Sequence, residues 1–215
     1  MTVVGILGGT GPAGRGVAVR LAAGGHRIIL GSRDPERAAA AAGALAQVVG
    51  DSVRGASNAE AAHADLVVVA TPWESTMATV RALREPLADK IVVSMVNALA
   101  KDGPEIVPLT LPRGSATAHV AAALPASQVV GAFHHLPAAQ MEDLASGLES
   151  DVLVVGDDAA ARRAVVELVH TAPGLRPVEV GGLALAGAVE AFTAVCITVN
   201  IRHRAHAAVR LTGLG

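Results

Sequence analysis

The sequence predicts an α/β fold: a doubly wound, mostly parallel sheet followed by a C-terminal helical segment. Three observations carry this. A short apolar run at residues 3–7 passes straight into Gly8-Gly9-Thr10-Gly11-Pro12-Ala13-Gly14, with GxGxxG at Gly9, Gly11 and Gly14, and then into a helix pattern. Strand-like and helix-like segments alternate along most of the chain. Several strand-like runs, above all LVVVA at residues 66–70, are apolar throughout, which marks strands covered on both faces. A strand, glycine turn and helix in this order open a Rossmann-type domain.

The elements follow in order. Residues 3–7 form the first strand and residues 16–23 a helix. Ile28-Ile29-Leu30 is the second strand, leading into Gly31-Ser32-Arg33. Asp34 caps, and Pro35 opens, an alanine-rich helix over residues 35–49. Val53-Arg54-Gly55 reads as a short strand and residues 57–62 as a helix capped by Asn58. The unit then repeats: strand 66–70, helix 75–84, strand 91–94, helix 116–123 and strand 128–133. Two further strands, 152–155 and 178–180, flank a helix over residues 159–170. Residues 183–210 read as one long apolar helical segment, with more Ala and Val surface than one face can bury, so part of it is expected to meet a second subunit. Residues 1–180 are therefore expected to form the nucleotide-binding domain with its sheet extension, and residues 181–215 a C-terminal segment making a homodimer contact.

Each glycine of the motif has a physical task. Gly9 permits the tight turn, Gly11 lets backbone N–H groups approach a pyrophosphate, and Gly14 lets helix and strand pack closely. The positive end of the helix then faces the phosphates. The tip of the second strand chooses the form of the dinucleotide. NAD sites place Asp or Glu there for the ribose 2′-OH, whereas this chain offers Ser32 and Arg33, with Arg37 one helical turn beyond. A hydroxyl and guanidinium groups donate to a 2′-phosphate that a carboxylate would repel, so the expected ligand is NADP(H).

In an open α/β sheet, ligands sit beyond the carboxyl ends of the strands. The residues there are Thr10 to Ala13, Ser32-Arg33, Thr71-Pro72-Trp73-Glu74, Ser94-Met95-Val96-Asn97 and His134-His135-Leu136-Pro137-Ala138. They form a sparsely polar wall suited to stacked planar rings, with Pro72 stiffening the loop past the nicotinamide ribose. Trp73 is either a core anchor or a ligand contact. His134 and His135 either position a nicotinamide or substrate carbonyl or are structural. As neighbours in an extended segment they point to opposite sides and cannot easily share a metal. His203 and His206 stand i and i+3 on the expected helix, where a surface or subunit-contact role is expected ahead of metal binding. No metal site is expected, and Ser94 lacks the elbow of a nucleophile.

Composition narrows the class further. The net charge is −2 with dispersed Lys and Arg, which gives no basic stripe for nucleic acid. With Trp73, Phe133 and Phe192 as the only aromatics, base-stacking platforms are missing too. Charged residues are expected to break each apolar stretch before the ~18 residues that span a bilayer, and no secretory signal is visible. Cys196, the only cysteine, allows no internal disulfide, which suits the reducing cytoplasm.

Several motifs together resemble the F420-dependent NADP oxidoreductase family, also called NADPH-dependent F420 reductases. They are GGTGPAGRG, GSR followed by Arg37, TPWE at 71–74, KIVVS at 90–94, FHHLPA at 133–138, VxGDD at 154–158 and GLRPVEVG. The resemblance spans nearly the whole chain. It implies hydride exchange between C4 of NADPH and C5 of the 8-hydroxy-5-deazaflavin coenzyme F420, ring to ring, with no catalytic acid or base. It implies that Thr10 to Ala13 hold the pyrophosphate and that Ser32, Arg33 and Arg37 hold the 2′-phosphate. Thr71, Asn97, His134 and Ala138 would lie along the nicotinamide half, with the deazaflavin in a cleft partly under the C-terminal helix. For the coenzyme's polar tail, Arg202, Arg204 and Arg210 are the evident cations. Two alternatives stay open: NADPH-dependent reduction of a small imine or carbonyl, with His134, His135 or Ser94 as proton donor, and a non-catalytic NADP(H)-responsive domain.

Overall fold

The computed structural model describes residues 1–214; Gly215, the last residue of the expected C-terminal segment, lies outside them. One eight-stranded sheet organises the chain. Its strands in chain order are β1 (Val3–Leu7), β2 (Arg27–Ser32), β3 (Val53–Ser57), β4 (Leu66–Val69), β5 (Ile91–Ser94), β8 (Gln128–Gly131), β9 (Ser150–Gly156) and β10 (Leu175–Gly181). A separate antiparallel hairpin, β6 (Leu99–Asp102) and β7 (Glu105–Pro108), stands between β5 and β8. The spatial order is β10-β9-β8-β5-β4-β1-β2-β3, and every pairing is parallel except β8 with β9. The sheet is thus the doubly wound, mostly parallel one expected.

Helices cover both faces: α1 (Pro12–Ala23), α2 (Pro35–Val49), α3 (Asn58–Ala61), α4 (Trp73–Ala82), α5 (Ala116–Ala123), α6 (Ala138–Glu142), α7 (Ala159–Thr171) and α8 (Ala186–His203). Two apolar layers result. Val4, Ile6, Val68 and Val93 pack toward α1 and α7, while Leu7, Val67, Val69 and Val92 pack toward α4 and α5. That alternation along β1, β4 and β5 is the period of two that a sheet buried on both faces requires.

Several expectations need correction. Helix α1 starts at Pro12, directly on the glycine turn, because proline at the first position needs no N–H partner. Helix α3 is capped by Ser57, not Asn58: Ser57 Oγ accepts from Glu60 N–H at 3.1 Å and the Glu60 carboxylate returns to Ser57. The hairpin β6–β7 and the short helix α6 were not foreseen. The hairpin turns at Gly103-Pro104, with Gly103 at φ +57.

The C-terminal segment differs most. Helix α8 stops at His203, where Arg204 takes the left-handed φ of +49, so His203 and His206 share no helical face. Beyond it the chain turns back on β9. Asp151, fully buried, accepts Arg176 through both oxygens at 2.7 and 2.8 Å and the N–H of Leu211 at 2.6 Å, and its own N–H donates to Val209 O. The Arg176 hydrogen bonds hold the Asp151 carboxyl below its ordinary pKa. The segment Leu183–His203 is also long and apolar enough, by length and composition, to cross a membrane; Glu190 alone carries a formal charge between Leu183 and Asn200, contrary to the expectation that charges break every such stretch.

Candidate functional site

The glycine turn separates into glycines that pack and a glycine that opens. Gly8 ends β1 at φ +70 and donates its N–H to Asn58 Oδ1 at 3.1 Å. Gly9 donates to Gly31 O at 2.9 Å, and a Cβ there would stand 2.7 Å from Leu30 Cδ2. A Cβ on Gly14 would stand 2.8 Å from Gly9 Cα. Gly11 meets nothing nearer than 3.8 Å. It is the N-cap of α1 and provides no side-chain acceptor, so the helix presents its first N–H groups toward the space in front.

That space is a cavity of about 420 Å³ at the carboxyl ends of β1, β2, β4 and β5. Of the residues expected at the site, Thr10, Gly11, Pro12, Ala13, Ser32, Arg33, Arg37, Thr71, Pro72 and Asn97 line it. Gly9 lies behind it, between β1 and β2. His134 and Ala138 line a smaller cavity of about 50 Å³ that shares Ala13, Met95 and Asn97 with the first, so the two adjoin across those side chains. Sequence reasoning missed Asn58, Ser75 and Thr79 as lining residues. Asn58 was visible, but its position beside a helix start gave it the look of a cap.

At one end stand Arg33 and Arg37, both exposed, and among the described residues neither has a carboxylate within ion-pairing distance. Ser32 Oγ accepts from Asp34 N–H at 3.1 Å, which leaves the Ser32 hydroxyl proton free to donate. The awkward acid beside them is occupied: Asp34 Oδ1 accepts from Glu36 and Arg37 N–H at 3.0 and 3.2 Å, capping α2 as expected. In the middle, the Thr71 hydroxyl is 2.8 Å from that of Thr76, which turns it into wall rather than a free donor. Trp73 is half-buried, lines the cavity and packs edge-on against His119, ring centroids 5.7 Å apart.

The other end is built from distant parts of the chain. Phe133, buried at φ +65, turns the backbone sharply after β8; such a conformation in a bulky residue costs about 1–3 kcal/mol and is held only by its surroundings. The turn aims the His134 carbonyl at Asn97, whose Nδ2 donates to it at 2.9 Å. Asn97 Oδ1 in turn accepts from the Thr193 hydroxyl of α8 at 3.3 Å. The His134 ring is buried, 3.4 Å from Thr117 Oγ1, and desolvation pushes its pKa down to about 3, so the imidazole is neutral. His135 points elsewhere, its Nε2 2.9 Å from Asp151 O, and burial lowers its pKa as well. Ser94 is fully buried and does not line the cavity.

The chain as a whole is similar to known proteins. Residues 3–98 match the family profile described as NADP oxidoreductase, coenzyme F420-dependent. The F420-dependent NADP reductase of Methanocaldococcus jannaschii is 36% identical over 98% of this chain and 98% of its own. The chain belongs to the F420-dependent NADP reductase family. A second member, from Methanothermobacter thermautotrophicus, is 33% identical over 98% of this chain and 95% of its own. A solved structure from Arthrobacter sp. FB24, assigned provisionally as an F420-dependent NADP-reductase, superimposes with a TM-score of 0.80 at 27% identity, covering 98% of this chain and 100% of that one. Family membership thus extends over the α8 half of the chain as well as the glycine turn.

Proposed function

We infer that the protein is an oxidoreductase exchanging hydride between NADP(H) and the deazaflavin coenzyme F420. The observation that carries the coenzyme half is the pairing of an open Gly11 cradle with the unpaired Arg33 and Arg37 across one cavity. F420 as the other partner comes from membership of a family whose members carry that activity in their names.

The residues present fit a phosphorylated dinucleotide. Thr10 to Ala13 and the first turn of α1 would hold the pyrophosphate. Ser32, Arg33 and Arg37 would hold the 2′-phosphate through charge-assisted hydrogen bonds. Thr71 and Pro72 would border the ribose, and Asn97, His134 and Ala138 the nicotinamide. When bound, NADPH supplies hydride from its nicotinamide ring. The chain's part is geometric: Ala13, Met95, Val96, Leu136 and Met141 form an apolar surround that excludes water, and the fixed Asn97 amide sets where a ring can lie. A carbonyl or imine substrate would need a proton donor, and the candidates are poorly placed: His134 is held neutral, His135 faces Asp151, and Ser94 is sealed.

We further propose a homodimer in the cytoplasm, with no nucleic-acid partner. Supporting the dimer is the exposed apolar face of α8, at Phe192, Val195 and Val199. Against a bilayer stands the packing of its other face on protein, through Glu190 and Thr193. The division into residues 1–180 and a C-terminal segment from residue 181 is kept as part of this proposal. The test is direct: with NADPH and F420 present, purified protein should bleach the visible absorbance of the deazaflavin. Bound NADPH without bleaching overturns the F420 assignment.

A further inference from the structure

A second charged cavity lies outside the dinucleotide site. Helices α4 and α5 pack side by side, and a groove of about 440 Å³ between their outer faces is lined by Arg81, Arg84, Arg113 and His119, with Met77 and alanines of α5 as its floor. Met77 and Arg81 stand at i and i+4 on α4, and Arg84 follows in the turn beyond that helix's end. Arg113 comes from the loop before α5, and His119 from that helix's first turn. No carboxylate lines the groove. Among the described residues none of the three arginines makes an ion pair, whereas Arg15, Arg54, Arg162, Arg176 and Arg210 all do. Like charges gathered in this way repel one another, and an anion between them removes that cost. Guanidinium groups suit phosphate and carboxylate oxygens in particular.

The groove also adjoins the dinucleotide cavity. His119, in its wall, packs on Trp73, and Trp73 lines the cavity on its other side. Two side chains in contact, His119 and Trp73, stand between them. We propose that this groove binds an oligoanion, the phosphodiester- and carboxylate-bearing tail of the deazaflavin coenzyme, whose ring occupies the neighbouring cleft. The proposal rests on the F420 activity inferred above. Of the cations first considered for this tail, Arg210 is already engaged, 3.8 Å from buried Asp151.

The experiment compares two acceptors in NADPH-driven reduction: F420, and the same deazaflavin cut back to its ribityl chain, which carries neither phosphate nor carboxylate. In the double variant Arg81→Glu/Arg84→Glu, and separately in Arg113→Glu, the KM for F420 should rise by about 10–100-fold. The KM values for the tail-free deazaflavin and for NADPH should stay within about twofold, which also shows that the variants are folded. Added salt should raise the wild-type KM for F420 more than that for the tail-free compound. Equal effects on both acceptors, no effect on F420, or a selective loss produced by Arg202→Glu instead would overturn the groove assignment. If the wild type reduces the tail-free acceptor and uses F420 with the same KM, the groove alone fails; if it reduces neither, the F420 activity itself fails and the groove with it.

Discussion

Glu190 and Thr117 are joined twice across the seam between α8 and α5: the N–H and the hydroxyl of Thr117 donate to Glu190 Oε1 at 2.9 and 2.7 Å. Ala116 N–H adds a third bond, to Oε2 at 2.7 Å. The one charged side chain in the apolar stretch of α8 therefore caps another helix. Burial pushes its carboxyl pKa up, while the three donors pull it down. Replacing Glu190 by Ala strands two buried N–H groups and a hydroxyl, and should cost about 2–3 kcal/mol of stability. Glu190→Gln, which keeps an acceptor, should cost less. Urea unfolding of the three proteins decides it, and an Ala variant as stable as the wild type would contradict the role.

The glycine turn allows a contrast within one motif. Gly14→Ala places a methyl against the Gly9 backbone and should lower the unfolding midpoint. Gly11 has φ −74 and open space, so Gly11→Ala should fold with little change in midpoint and yet bind NADPH at least tenfold more weakly. Thermal melts beside fluorescence titrations separate the two, and matching behaviour in both variants would refute the division of labour.

Arg33→Glu should weaken NADPH by about 10–100-fold and leave NADH nearly unchanged, because the lost interaction is with the 2′-phosphate alone. Equilibrium titration with both nucleotides measures it. Equal losses would place Arg33 elsewhere than at the 2′-phosphate.

His134 predicts a pH dependence of stability. In the unfolded chain it takes a proton near pH 6.5, in the folded protein only near pH 3, because burial disfavours its charged form. Between those values the unfolded state binds the extra proton. Stability present above pH 6.5 is therefore lost as pH falls, at up to ~1.4 kcal/mol per pH unit. Between pH 6.5 and 5 the wild type should lose about 1–2 kcal/mol more than His134→Gln. Parallel slopes in urea unfolding across that range would show that the buried ring does not carry the effect.

Local patterns were legible. The spans of α2, β5 and α5 could be read from Pro35 with its Asp34 cap, from the IVVS run and from the alanine helix, since caps and periodicity act within a few residues. That Ser32, Arg33 and Arg37 come together at one end of the cavity was equally plain because they stand close in the chain. Helix α6 was hidden: Arg20 of α1 holds it, donating to Met141 O at 3.0 Å and Asp143 O at 2.7 Å, partners more than 120 residues away. The capping role of Glu190 left no local signal, since its partners sit 73 and 74 residues earlier. The hairpin was legible in retrospect, as Gly103-Pro104 between two short runs is a turn signal.

The bond between Asn97 and Thr193 ties the two ends of the cavity to different spans of chain. The end proposed for the 2′-phosphate draws only on residues 8–79, Asn58 included, whereas the end proposed for the nicotinamide waits for a helix 96 residues beyond Asn97. During synthesis a nascent chain lacking α8 would already grip adenosine bisphosphates while being unable to orient a redox ring. Any later detachment of α8 would recreate that state: a protein that still sequesters the nucleotide but has stopped exchanging electrons with it.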